Sequence, residues 1–155
     1  MPHAIGTIVA ARRGAEPFTH RQQAPKVKIL SLLNERQPFY SMEFFPPKEA
    51  SQWPAFFSEV DRLKALAPAF VSVTYGAGGS SQSNTLAITK ELAEKGLTPM
   101  AHLTCVGVSS ESLRAFLRQL AEAGVYNVLA LRGDAPQGAQ IRWNECEFPY
   151  AADLA

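Results

Sequence analysis

Four apolar runs in the sequence each end in a polar or glycine-rich signature: Ser41-Met-Glu-Phe-Phe-Pro-Pro-Lys48, Val71-Ser-Val-Thr-Tyr-Gly-Ala-Gly-Gly79, Ala101-His-Leu-Thr-Cys-Val-Gly107 and Leu129-Ala-Leu-Arg-Gly-Asp134. Short β-rich runs separated by amphipathic segments of helix length describe successive βα units, and chemistry in such folds collects where the strands end. The four strand ends are therefore where functional side chains are to be sought.

The segments between these runs repeat at helical period. Residues 1–25 mix Gly, Pro, His and Arg without periodicity and read as a flexible leader. Val27, Leu30 and Leu33 predict a short helix ending before Pro38. A strand over 39–45 is stopped by Pro46-Pro47, because proline cannot donate to a ladder. Trp53, Phe56, Phe57, Val60, Leu63 and Leu66 form one apolar stripe, which predicts an amphipathic helix ending near Pro68. A strand over 69–75 precedes a helix over 85–95, closed by Gly96, and a third strand spans 98–105. Ser109 or Ser110 can cap the next helix, whose buried face is Leu113, Phe116, Leu117 and Leu120 and whose stop is Gly124. A fourth strand covers 125–131, residues 133–148 read as a loop, and Tyr150-Ala-Ala-Asp-Leu154 looks like the start of another helix.

Strand parity sorts the candidates. Alternate residues share a face, so Ser41 pairs with Glu43, Ser72 with Thr74, and His102 with Thr104, while the opposite faces stay mostly apolar. Arg132 and Asp134 follow the fourth strand. The polar faces would converge at one end of a barrel or in a sheet crevice, giving a site containing Glu43, Thr74, His102, Arg132 and Asp134. Each residue also has a plainer reading. Glu43, between Met42 and Phe44, is either structurally ion-paired or a carboxyl kept protonated for acid chemistry. Taken singly, Arg132 and Asp134 read as a local ion pair, and His102 as a hydrogen-bonded core histidine.

Other chemistries find little support. His102 and Cys105 point to opposite faces, which argues against a metal site. Gly76-Ala-Gly-Gly79 lacks both G-x-G-x-x-G spacing and a Walker lysine, and no G-x-S-x-G elbow supports a hydrolase. A net charge of +1, with the charges interspersed, supplies no field for nucleic acid or an anionic membrane. Two cysteines without paired spacing fit free thiols in a reducing compartment. No apolar run approaches the roughly 18 residues of a membrane span, and the first 13 residues have the wrong order for a secretory signal, so a cytoplasmic protein is expected.

Taken together, Glu43-Phe-Phe-Pro-Pro-Lys48, Phe70-Val-Ser-Val-Thr-Tyr-Gly-Ala-Gly-Gly-Ser80, Ala101-His-Leu-Thr-Cys105 and Leu129-Ala-Leu-Arg-Gly-Asp-Ala-Pro136 resemble the methylenetetrahydrofolate reductase family in order and spacing, from Tyr40 to the C-terminus. The resemblance implies an α/β chain of the (β/α)8 TIM-barrel class, with noncovalent FAD reduced by NADH or NADPH. That flavin passes hydride to 5,10-methylenetetrahydrofolate to give 5-methyltetrahydrofolate. Glu43 matches the family's general acid, which assists opening of the folate's one-carbon bridge, and a partly buried carboxylic acid suits that role. Asp134 matches an aspartate near both flavin and pterin, and Thr74 a residue near the flavin ring and nicotinamide, so both are substrate-side candidates as well. Tyr75, Ala77, His102, Arg132, Gly133, Tyr150 and Ala151 match flavin contacts. The chain departs from the family pattern at Ser81-Gln-Ser-Asn84, where the family often carries Thr and Arg/Asp/Arg-type charge.

A complete barrel takes eight βα units and usually ~250 residues, whereas 155 residues supply four predicted strands. The expectation is the N-terminal half of the barrel, over 26–155, from a truncated gene or incomplete gene model, with little activity alone. The alternative is a noncatalytic half-barrel that closes its sheet with a second copy or a complementing chain. The folate substrate is the small-molecule partner implied by the resemblance.

Overall fold

In the computed structural model, the described residues are 8–10, 27–35, 38–75, 82–135, 138 and 140–154. Their elements are β1 (Ile8–Ala10), α1 (Ile29–Glu35), β2 (Tyr40–Phe44), α2 (Trp53–Lys64), β3 (Phe70–Val73), α3 (Gln82–Glu94), β4 (Pro99–Thr104), α4 (Ser110–Glu122) and β5 (Asn127–Leu131). Short 3-10 turns cover Ala50–Gln52, Trp143–Glu145 and Ala151–Leu154.

The five strands form one sheet in sequence order, with β2 to β5 parallel. Their register explains where the helices go. Met42 lies beside Val71, and Phe44, Val73, Ala101 and Val128 form the next row on that face. Met42, Phe44, Val71 and Val73 pack with Phe56 and Val60 of α2 and with Ile88 and Leu92 of α3. Ala101 and Leu103 pack with Leu113, Phe116 and Leu120 of α4. All three crossover helices therefore cover the same face. Helices on one side of a sheet whose strand order never reverses follow the barrel pattern, whereas a doubly wound sheet has helices on both faces. Full burial of a side chain such as Phe116 or Leu92 stabilises this layer by about 1.5–3 kcal/mol.

The helix limits have local causes. The Ser109 hydroxyl caps α4 by accepting from the Ser112 N–H at 3.3 Å. A Glu147 carboxylate oxygen, 2.9 Å from the Ser110 N–H, satisfies a second free donor of that first turn. Gly96 and Gly124 follow α3 and α4, where the sequence placed their stops. The Trp53 stripe becomes α2, with Phe44 and Phe56 in edge-to-face contact at 5.6 Å.

Three local expectations change. Within the segment read as a leader, Ile8–Ala10 pair antiparallel with Tyr40–Met42, adding an edge strand that three residues without apolar alternation did not announce. The predicted loop over 133–148 contains a 3-10 turn at Trp143–Glu145. The last predicted helix is a 3-10 turn over Ala151–Leu154, begun by the Tyr150 N–H donating to an Asp153 carboxylate oxygen at 2.8 Å.

Candidate functional site

The face opposite the helices carries the polar residues that parity grouped. Glu43 lies beside Ser72, which lies beside Met100, while His102 lies beside Leu129 one row nearer the strand ends. A hollow of about 220 Å³ opens here. Its polar lining is Ser41, Glu43, Ser72 and His102; Phe70, Met100 and Leu129 give it apolar walls. Those walls are what sequence reasoning missed, because an apolar residue in a strand looks the same whether it faces helices or a site.

Glu43 and His102 meet in this hollow. The Glu43 Oε2 is 3.5 Å from the His102 Nε2, an ion-pair distance when the imidazole is protonated. Nε2 is buried and has no hydrogen-bond partner among the described residues. His102 is therefore a buried histidine, as its plainer reading held, but without the expected hydrogen bond at that atom. Burial lowers the imidazole pKa below its ordinary 6.5, while the nearby Glu43 charge pulls it back up. The Glu43 side chain is 35% exposed, so its carboxyl remains open to the hollow.

The strand ends hold the remaining candidates. The Thr74 N–H donates to the Phe44 carbonyl at 3.0 Å, and the Thr74 carbonyl accepts from the Thr85 hydroxyl at 3.4 Å, tying the end of β3 to β2 and α3. Tyr75 follows, half-buried, and burial pushes its phenol above the ordinary value of 10.0. Ala77 lies outside the described residues.

Beyond β5 the chain turns tightly over β4. The Arg132 carbonyl accepts from the Val106 N–H at 3.0 Å and from the Cys105 thiol at 3.5 Å. Gly133 has φ +80°, and an added Cβ would come within 2.8 Å of Thr104 and Val106, so only glycine fits. Arg132 and Asp134 are both exposed. The Arg132–Asp134 ion pair of the plainer reading is absent among the described residues; the Arg132 guanidinium instead lies 4.5 Å over the Trp143 ring. Tyr150 is 64% exposed, and Ala151 begins the last 3-10 turn. Burial pushes the Cys105 thiol up, so it is a packing group here.

The arrangement thus puts a carboxyl beside a buried imidazole in a half-apolar hollow, and a cationic arm on a hydrogen-bonded turn at the strand ends. Among the described residues, no group of three or more His, Cys, Asp or Glu could hold a metal ion, and no helix is long and apolar enough to cross a membrane.

Comparison with known proteins gives this arrangement a family. Residues 28–155 match the family model described as Methylenetetrahydrofolate reductase. The 5,10-methylenetetrahydrofolate reductase of Pectobacterium carotovorum subsp. carotovorum is 44% identical over 98 residues, 63% of this chain and 33% of that protein. The protein of the same name from Salmonella typhimurium is 39% identical over 115 residues, 74% of this chain and 37% of that one. Methylenetetrahydrofolate reductase (NADH) 1 of Arabidopsis thaliana is 39% identical over 128 residues, 82% of this chain and 22% of that protein. The chain spans about a third of the length of these bacterial relatives. Its four parallel strands with one-sided helices are the first βα units of a TIM barrel. The match extends from residue 28 to residue 155, across every βα unit described, and the chain therefore belongs to the methylenetetrahydrofolate reductase family.

Proposed function

We propose that this chain carries the acid and half of the flavin cradle of an enzyme that reduces 5,10-methylenetetrahydrofolate to 5-methyltetrahydrofolate with NADH or NADPH. The observation that carries the reading is the Glu43–His102 pair, set in a hollow on the sheet face that a barrel encloses. The relatives' names supply the folate, and the Arabidopsis name specifies NADH.

FAD fits the residues present. His102 offers a buried ring nitrogen that has no hydrogen-bond partner among the described residues and lies 3.5 Å from the Glu43 carboxylate, and Arg132 offers an exposed cation on a clamped backbone. By the family resemblance, Thr74, Tyr75, Ala77, His102, Arg132, Gly133, Asp134, Tyr150 and Ala151 would hold it noncovalently. When bound, FAD would supply a two-electron carrier between the nicotinamide and the folate. By the family resemblance Glu43 would deliver the proton that opens the folate's one-carbon bridge, and its side chain, 35% exposed, faces the hollow where a substrate can reach it. By the same resemblance Asp134 would accept hydrogen bonds from the pterin, and Thr74 would lie near the flavin ring and nicotinamide.

Turnover needs the hollow closed. Leu129 and Leu131, on the hollow side of β5, are each 36% exposed, so water reaches the site from the open face. The remaining barrel strands would exclude that water, whether they belong to a longer form of this chain or to a complementing chain. The same open face suits the second reading, a noncatalytic half-barrel that only supports a partner.

A complementation experiment separates the two. The chain, co-expressed with the later barrel units of a bacterial relative, is expected to retain FAD and reduce the folate. Glu43→Gln should lower folate reduction by about 10²–10⁴-fold while electron transfer from NADH to the flavin persists. Unchanged folate reduction in that variant would support the noncatalytic reading instead.

A further inference from the structure

The Arg132–Trp143 contact is absent from every motif that carries the family resemblance: Trp143 sits in a segment the sequence presented as loop. The Arg132 backbone is fixed by the two hydrogen bonds to its carbonyl and by the close fit of Gly133 against Thr104 and Val106. Its side chain projects from this anchor as an exposed arm that would otherwise sample many rotamers. Trp143 narrows that freedom by placing an aromatic ring 4.5 Å from the guanidinium carbon. The 3-10 turn bearing Trp143 is itself held, since Arg142 and Glu145 pair across it at 2.9 Å and Glu147 latches the following residues to the first turn of α4. A guanidinium resting on an aromatic ring keeps its N–H donors free at the periphery, where they can meet paired oxyanions.

We propose that Trp143 is a positioning residue, holding the Arg132 guanidinium ready for the diphosphate of the bound nucleotide cofactor. This rests on the assignment of Arg132 to the flavin under Proposed function. Trp143 touches no ligand; it acts through Arg132 by limiting how far that cation strays before binding. Affinity gained this way comes from preorganisation, since the ordering cost is met in the fold.

The test uses the 155-residue chain, with inorganic pyrophosphate as the probe and the Arg132 Nε–Hε NMR signal as the readout. In the native chain the signal should be displaced by the Trp143 ring current and should move saturably with pyrophosphate. Trp143→Leu, which fills space without a π face, should lose the displacement and need roughly two- to fivefold more pyrophosphate for half-saturation. Trp143→Phe should restore much of both. Native-like pyrophosphate binding in Trp143→Leu, with binding lost in Arg132→Ala, would overturn the positioning role while leaving Arg132 as the anion contact. A ring-displaced Arg132 signal that ignores pyrophosphate would overturn the flavin assignment of Arg132 and the positioning role with it.

Discussion

The Glu43–His102 pair makes predictions that do not depend on turnover. Because burial lowers the His102 pKa in the folded protein, the unfolded chain takes up this proton first on acidification. The folded state should lose stability as pH falls from about 6.5 through the lower folded value, with no further loss from this group below it. Urea midpoints measured across that window should fall less steeply for His102→Gln; equal slopes would show that His102 titrates normally. Glu43 pulls the imidazole pKa upward, so Glu43→Gln should make His102 titrate lower still, read from its ring proton shifts. A rise in that variant would contradict the contact. Gly133→Ala combines a left-handed backbone with two 2.8 Å overlaps, and should cost roughly 2–4 kcal/mol in chemical denaturation. At this scale the sequence was legible where period applied: side chains two residues apart share a strand face, which grouped Ser41 with Glu43 and His102 with Thr104. Period says nothing of which exposed cation meets which ring, so the plainer reading of Arg132 paired it with Asp134, whereas Arg132 meets Trp143.

At the scale of elements, β2 to β5 and the helices between them could be read because each buries a stripe at its own period. Tethers between elements distant in sequence could not. The Asn127 side chain, at the start of β5, accepts from the Ile29 N–H and donates to the Val27 carbonyl, both at 3.0 Å. These bonds seat the start of α1 against the N-terminal end of the sheet, across 98 and 100 residues of sequence. Asparagine in a strand has no periodicity to betray that task. Asn127→Ala should leave both α1-side groups without their partner and cost about 1–3 kcal/mol, with faster hydrogen exchange across 29–35 than across α4. Uniform acceleration of both helices would show that α1 is not separately tethered. The antiparallel pairing of Ile8–Ala10 escaped for a similar reason: an edge strand of three residues is specified by its neighbour's free ladder more than by its own pattern.

At the scale of the molecule, one sheet face is packed under helices and the other is a hollow with polar centre and apolar rim. Four parallel strands leave that face open, and fold and family were legible because each of the four motifs closes one of those strands. The proposed function makes this open face the acid-bearing half of a flavin-dependent folate reductase site. Its most direct test follows folate reduction by the chain complemented with the later barrel units, comparing Glu43 with Glu43→Gln at matched FAD occupancy. The substitution should lower the folate half-reaction by about 10²–10⁴-fold and spare flavin reduction by NADH. Equal folate turnover with and without the Glu43 carboxyl would contradict it.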